Sequence, residues 1–176
     1  EVKRLGEIFE FKNGINSNKD SYGKGVKFIN VLDVLNNKYI TYDSIVGRMD
    51  ISDKVFNDNK VEYGDIVFQR SSETVEEAGS SNVYLDSKPV TFGGFIIRGK
   101  KKEENNPMFM NYILKIYPIR KQIMQRSYGS TRFNIGQESL KEIVFFSPSM
   151  KEQQRIASIL ETWDRAIELK EKLIQE

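Results

Sequence analysis

Residues 149–176 read SMKEQQRIASILETWDRAIELKEKLIQE and contain neither glycine nor proline. The stretch begins with a capping box, in which the Ser149 side chain accepts from the third helical N–H and Glu152 reaches back to the serine. A helix from Met150 to Glu176 would span about 40 Å at about 1.5 Å per residue. Because this exceeds the size of an ordinary domain, the stretch predicts a domain from which a long C-terminal helix extends.

The apolar residues of this helix form a heptad-like stripe. A flanking row at Ile159, Ala166 and Leu173 widens the stripe, and Lys170 is its one break. The positions predicted to pair with another helix are Ile156, Leu160, Trp163, Ile167 and Ile174. We predict a coiled coil with a partner helix, from the same protein or from another copy. The alternative is a terminal helix that lies wholly on its own domain.

Residues 1–148 are predicted to form a separate domain rich in short strands. Segments with β-branched and aromatic residues lie at 26–31, 38–42, 65–69, 82–85, 94–98 and 143–146. Asn106-Pro107 predicts the start of a helix, which Pro118 kinks or divides, and a short helical turn is expected at 138–141. The predicted fold class is α/β in the broad α+β sense: a mixed, strongly twisted sheet with a few helices, followed by the helix of residues 149–176.

The composition excludes several classes of protein. The chain has 176 residues, with no cysteine and no histidine. Disulfides, a thiolate nucleophile, a Ser-His-Asp triad and nearly all zinc sites are thereby excluded, and we expect no cofactor. No apolar run approaches the ~20 residues of a membrane span, and the first four residues lack a signal-peptide core. We therefore expect a cytoplasmic protein with no membrane partner.

The net charge of +2 conceals a segregation of charge along the chain. Residues 105–137 carry basic residues but no Asp or Glu, whereas residues 50–65 are rich in acids. A local basic face can bind a polyanion, and the segments at 69–72 and 126–134 carry side chains that suit phosphates and base edges. The candidate DNA contacts are Arg70, Ser71, Lys100, Lys101, Lys102, Arg126, Tyr128, Ser130, Thr131, Arg132 and Asn134, with the three lysines as phosphate contacts.

Two other classes of function are open to these residues. Asp164, Glu168 and Lys170 could hold Mg²⁺ beside a scissile phosphate, as in a metal-dependent nuclease. Their spacing on a charged helix is also that of salt-bridge partners, which is the interpretation we favour. The other class is a non-catalytic protein-interaction module that acts through the C-terminal helix.

A series of motifs spans nearly the whole chain and resembles one protein family. The downstream motifs are GSTRFNI at 129–135, LKEI at 140–143 and PSMKEQQRIA at 148–157, then Leu160 and Asp164. The upstream motifs are LGEI at 5–8, Asn13-Gly14, INVLDV at 29–34 and GDIVFQRS at 64–71. The series resembles the specificity subunit of type I restriction–modification systems.

The resemblance implies a target-recognition domain at residues 1–148 and the start of a conserved spacer helix at residues 149–176. Members of this family usually carry two recognition domains, each reading one half of a split DNA sequence, and their helices pair as an antiparallel coiled coil. The implied partners are double-stranded DNA, methyltransferase (modification) subunits, and a second recognition domain in the same subunit or in a second copy. The chain itself would be non-catalytic, and S-adenosylmethionine, ATP and Mg would be used by partner subunits.

Overall fold

Short strands and helices alternate through residues 1–148, and one long helix follows. The structure is a computed structural model that describes residues 1–175. The strands are β1 Val2–Arg4, β2 Phe9–Asn13, β3 Tyr22–Ile29, β4 Arg48–Met49, β5 Ile66–Gln69, β6 Ser71–Ser72, β7 Ser81–Val83, β8 Thr91–Phe92, β9 Ile96–Lys101, β10 Phe133–Asn134 and β11 Val144–Phe146. The helices are α1 Leu5–Ile8, α2 Val31–Asn36, α3 Asp53–Asp58, α4 Pro107–Ile113, α5 Tyr117–Arg126, α6 Gln137–Lys141 and α7 Met150–Gln175, with a 3₁₀ turn at Lys19–Ser21.

Four antiparallel strands form the central sheet, in the order β2-β9-β5-β7. Successive residues of a strand point to opposite faces, so each face of β5 has its own apolar side chains. Ile66 and Phe68 lie in one hydrophobic core, and Val67 lies in the other. The sheet therefore separates two cores, and the predicted mixed α+β fold with twisted sheets and a long C-terminal helix is confirmed.

The two cores are closed by different elements. Helices α1, α4, α5 and α6 close the first, together with Ala157 at the start of α7. The second is closed by α2 and by a small sheet in which β3 pairs in parallel with β8 and antiparallel with β4. Because α2 contacts β5 and β7, it fixes the second core against the central sheet.

The helix boundaries predicted from asparagine and proline are confirmed. Asn106 caps α4, since its side-chain oxygen accepts from the Phe109 N–H at 2.8 Å, and Pro107 is the first helical residue. Pro118 is the second residue of α5, so it divides the predicted helix into two pieces. The short helix expected at 138–141 is present as α6.

Two strand predictions in the first half of the chain are wrong in part. Of residues 38–42, only Ile40 pairs, through one isolated bridge to Tyr84. Residues 26–31 belong to β3 only as far as Ile29, because Asn30 caps α2 by accepting from Asp33 N at 3.3 Å, while the Asp33 side chain accepts from Asn30 N at 2.8 Å. This reciprocal cap outweighs the β propensity of the valines that follow.

Helix α7 begins with the predicted capping box and lies against the domain through polar contacts as well as through the buried Ala157. Ser149 N donates to the Glu152 carboxylate at 3.0 Å, and Glu152 N donates to Ser149 Oγ at 3.4 Å. One turn on, Gln153 Oε1 accepts from Asn106 N at 3.0 Å, and Gln153 Nε2 donates to Pro148 O at 3.1 Å. These bonds fix the first turn of the helix to the start of α4.

A second polar contact holds the middle of α7. Tyr112 Oη donates to Asp164 Oδ2 at 2.6 Å. Lys38 Nζ lies 3.1 Å from Asp164 Oδ2 and 2.9 Å from Glu168 Oε1. Burial acts to raise the pKa of Asp164, but the hydrogen bonds from Tyr112 and Lys38 outweigh it and lower that pKa. The domain therefore holds α7 at two points separated by three turns.

The apolar stripe of α7 is exposed, although its first residue, Ile156, lines a cleft beside Phe109 and Ile113 of the domain. Its members Ile156, Leu160, Trp163, Ile167 and Ile174 are all exposed, with Trp163 at 66% and Ile167 at 53%. The domain contacts α7 as far as Glu168 but leaves the stripe exposed, as expected of a helix that pairs with a partner. Pairing of the stripe with another helix remains a prediction. Among the helices of residues 1–175, none is long and apolar enough to cross a membrane.

Candidate functional site

Three loop segments meet at one end of the central sheet. Gln69 at the end of β5 pairs with Ile96 at the start of β9, so the chain leaves both strands at the same place. Arg70 N then donates to Phe95 O at 2.7 Å, and Ile135 N donates to Arg70 O at 3.0 Å. We call the surface formed by residues 70–73, 93–95 and 127–134 the loop edge.

Two short strands join the distant parts of the loop edge. In the β6–β10 pair, Ser71 is opposite Asn134 and Ser72 is opposite Phe133. Ser71 Oγ donates to Asn134 Oδ1, and Asn134 Nδ2 donates to Arg132 O at 3.1 Å. Asn134 therefore fixes the hairpin of residues 128–134 to the end of β5.

The hairpin presents four of the predicted residues to solvent. Tyr128 and Asn134 exchange backbone hydrogen bonds of 2.9 and 2.8 Å and close the hairpin. The exposed members of the set are Tyr128, Ser130, Thr131 and Arg132. Gly129 has a φ of +127°, and a Cβ at this position would lie 1.9 Å from Arg132 O. Only glycine therefore allows the backbone to close here.

A cleft of about 260 Å³ opens at the loop edge. Helix α2 and the turn before β9 provide its apolar walls, and the segment after β5 provides its polar groups. Its lining residues are Val31, Leu35, Gln69, Ser71, Ser72, Glu73, Glu77, Phe95 and Arg132. We call it the edge cleft. It has two carboxylates and one guanidinium among its lining residues, so its interior is acidic on balance.

The three predicted lysines lie at the other end of the central sheet. Lys100 is four residues along β9 from Ile96, which places it about 13 Å away at roughly 3.3 Å per residue. Lys100 Nζ lies 3.0 Å from the Glu62 carboxylate, and Lys101 Nζ lies 3.4 Å from that of Glu104. Lys102 Nζ donates to Gly6 O at 2.8 Å. The structure thus does not bring Lys100, Lys101 and Lys102 together with the loop edge.

Some basic residues of the acid-free segment 105–137 are bonded to backbone carbonyls. Arg120 donates to the carbonyls of Gly79, Glu76 and Ala78 at 2.7–2.8 Å, and burial lowers its pKa. Arg126, on the last turn of α5, donates to the Gln122 carbonyl at 3.2 Å. Of this set, Arg132 is the basic side chain that lies exposed on the loop edge. An acid-free stretch of sequence therefore does not by itself predict a basic surface on the folded protein.

Several residues of this region carried no functional signal in the sequence. Phe95 is 59% exposed at the turn before β9, and Leu32 and Tyr22 are exposed nearby. A second cleft of about 360 Å³ lies between these residues and shares Val31 and Phe95 with the edge cleft. Apolar residues next to a strand indicate a core, so their exposure could not be predicted. The Gly93-Gly94 turn was the available signal for an exposed Phe95.

The carboxylates considered for a magnesium site have other partners. Asp164 and Glu168 both lie within 3.1 Å of Lys38 Nζ, which is the salt-bridge interpretation of this spacing. Within residues 1–175 there is no group of three or more side chains placed to hold a metal ion.

Solved structures with the same fold come from type I restriction–modification systems. A structure reported for complex assembly and conformational transition of the type I R-M system has a TM-score of 0.73 at 15% identity, covering 98% of this chain and 40% of that chain. The S subunit from M. genitalium has a TM-score of 0.61 at 22% identity, covering 99% and 41%. The HsdS subunit from Thermoanaerobacter tengcongensis has a TM-score of 0.70 at 15% identity, covering 98% and 39%.

These likenesses establish the fold, and the chain spans about two fifths of the length of each structure. A comparison with curated protein sequences gives no match. A family model described as the type I restriction modification DNA specificity domain matches residues 1–176. Because that model covers every residue, the chain belongs to the family of type I restriction–modification DNA specificity domains.

Proposed function

We propose that this chain recognises one half of a bipartite sequence in double-stranded DNA and directs a type I restriction–modification complex to it. The observation that carries the proposal is the loop edge, where Arg70 and Ser71 lie beside the hairpin of residues 128–134. Membership of a family of DNA specificity domains also supports double-stranded DNA as the binding partner.

Some side chains of the loop edge can reach DNA, and others hold the hairpin in position. Arg132, Ser130 and Thr131 are exposed at the hairpin tip, where a guanidinium and two hydroxyls can reach phosphates or base edges. Asn134 already accepts from Ser71 and donates to the Arg132 carbonyl. We therefore assign DNA contact to the hairpin tip and Arg70, and a positioning role to Ser71 and Asn134.

The C-terminal helix serves a different purpose in this proposal. Its outward stripe of Leu160, Trp163 and Ile167 pairs with a helix of a second recognition domain, in the same subunit or in a second copy. The helix of 26 residues is about 39 Å long, so such pairing would set the distance between two half-sites. The chain spans about two fifths of the related structures, and the second recognition domain would lie either in the same subunit or in a second copy.

Proteins of this specificity-subunit family are in general non-catalytic. We propose that the same holds for this chain and that methyltransferase subunits dock on the complex. Those partner subunits would use S-adenosylmethionine, ATP and Mg for methylation and cleavage.

The experiment that tests DNA recognition is duplex binding by the Arg132→Ala variant, measured by fluorescence anisotropy at several salt concentrations. We expect the affinity to fall about tenfold, since one good guanidinium contact is worth roughly 1–3 kcal/mol. If Arg132 contacts phosphate, the slope of log affinity against log salt should become shallower by about one. Unchanged binding would show that the hairpin does not contact the DNA.

The matched control is Lys102→Ala, which removes one positive charge from the opposite end of the sheet. We expect its affinity to stay within about twofold of the unchanged chain, because exposed charges more than ~10 Å apart are largely screened at 0.1 M salt. If both variants lose affinity equally, binding depends on total charge and not on the loop edge.

A second candidate function is a protein-interaction module, which the exposed stripe of α7 favours. Absence of salt-dependent binding to duplex DNA, together with stable pairing through the helix, would support this candidate over DNA recognition.

A further inference from the structure

We infer that the edge cleft reads one exocyclic amino group of a base, adenine N6 or cytosine N4, in the DNA major groove. This inference rests on the proposed function and adds to it the chemistry of one recognised base. It assigns specificity to Glu73 and Glu77, which were not candidates from the sequence, and to Gln69, whose segment was noted there but which is not among the candidate DNA contacts.

A buried hydrogen-bond acceptor without a partner lines the cleft. Gln69 is only 3% exposed, and its Nε2 donates to Ser71 O at 2.9 Å. Among the described residues, its Oε1 has no hydrogen-bond partner. Buried polar atoms are almost always paired, so this orphaned acceptor in a residue that lines the cleft points to a donor from outside, which reaches the oxygen once the Gln69 side chain turns toward the cleft.

Two carboxylates add to this acceptor character. Glu77 accepts from Ser72 Oγ at 2.9 Å, which orients its carboxylate at the cleft. Glu73 is exposed beside it in the same loop. Carboxylates at a DNA-reading surface repel phosphate but accept from the amino group of cytosine or adenine. The balance of charge in the cleft, two carboxylates against Arg132, therefore favours a base amino group over the backbone.

The apolar walls make the cleft selective and hold its shape. Val31 and Leu35 come from the capped helix α2, and Phe95 comes from the turn before β9. That turn is fixed because Arg70 N donates to Phe95 O at 2.7 Å and Ile96 N donates to Gly93 O at 2.9 Å. A hydrogen bond beside such walls is less exposed to water and discriminates more strongly between partners. Guanine and thymine present acceptors at the corresponding major-groove positions and would be rejected by the carboxylates.

The test is selection of bound sequences from a library of random duplex DNA by the full chain and by two charge-matched variants. Glu73→Lys converts an acceptor of the cleft into a donor. Glu76→Lys makes the same charge change in the same loop, at a residue that does not line the cleft. We expect the unchanged chain and Glu76→Lys to select the same sequence. At one position of that sequence both should select adenine or cytosine, whereas Glu73→Lys should select guanine or thymine there.

A second measurement removes the amino group from the DNA. In the selected duplex, adenine is replaced by 2-aminopurine, or cytosine by 2-pyrimidinone, so that no amino group remains at the major-groove position. We expect the unchanged chain to lose about tenfold in affinity and Glu73→Lys to lose little.

The outcomes separate the inference from the proposed function. If the unchanged chain selects a sequence and Glu73→Lys selects the same one with equal sensitivity to the analogue, the inference is wrong and DNA recognition stands. If the unchanged chain selects no sequence at all, the proposed function itself fails.

Discussion

The substitution Asp164→Ala tests whether α7 is held to its domain by a polar face. Asp164 accepts from Tyr112 Oη at 2.6 Å and lies 3.1 Å from Lys38 Nζ, and only 31% of its side chain is exposed. The matched variant is Ile167→Ala on the same helix, which removes a side chain of the outward stripe that is 53% exposed. We expect the first variant to destabilise the isolated chain and the second to leave it nearly unchanged.

The expected size of the effect follows from the individual contacts of Asp164. A hydrogen bond to a charged group contributes about 1.5–3 kcal/mol, and a partly exposed ion pair about 0.2–1 kcal/mol. Alanine is the better helix former by up to about 0.7 kcal/mol, which opposes the loss. The net free energy of unfolding should therefore fall by about 1–3 kcal/mol, and the Tm by about 2–12 °C for a chain of this length.

The assay is thermal and urea unfolding of the full chain between pH 3 and pH 8. Because the pKa of Asp164 is lowered in the folded protein, its contribution is present above the unfolded-state value of about 4 and is lost as the pH falls through the folded-state value. The difference between the unchanged chain and Asp164→Ala should thus be constant from pH 6 to pH 8 and shrink below about pH 4. Equal stability of Asp164→Ala and Ile167→Ala at pH 7 would refute the assignment of the two helix faces.

Two further substitutions test assembly and the packing of α5 against the loop that contains Gly79. Leu160→Asp should abolish pairing of α7 with its partner helix in analytical ultracentrifugation, since a charge would be buried in the stripe, and an intact complex would show that the stripe has no partner. Gly79→Ala should lower the free energy of unfolding by about 1–3 kcal/mol in urea titrations, because the glycine has a φ of +65° and a Cβ would lie 2.5 Å from Ile123 Cγ2. Unaltered stability would mean that the loop relaxes at no cost.

The features that sequence predicted correctly are those fixed by neighbouring residues. The Asn106 cap and the Ser149 capping box each depend on residues three apart, and both are present. The exposed stripe of α7 also follows from local spacing. The same local chemistry at Asn30 and Asp33 would have predicted α2, but the valines around it suggested a strand. Here the side-chain cap starts a helix in a segment for which β propensity alone predicts a strand.

The features that sequence could not predict depend on distant pairing. Ser71 and Asn134 meet in strands of two residues each, too short to give a pattern, although the loops that contain them were both candidates. The lysines at 100–102 were grouped with these loops because they are close in sequence to other basic residues. The antiparallel direction of β9 carries them to the opposite end of the sheet. Charge along a chain therefore predicts a surface only after the strand directions are known.

The pairing of β1 with β11 has a mechanical consequence for the domain. The Glu1 amino group donates to Ser147 O at 3.0 Å, and Ser147 N donates to Glu1 O at 2.7 Å, three residues before α7 begins. A polypeptide that reached residue 1 would thus arrive where the chain departs into the helix. Force applied along such a path would act on the β1–β11 pair and not on the loop edge.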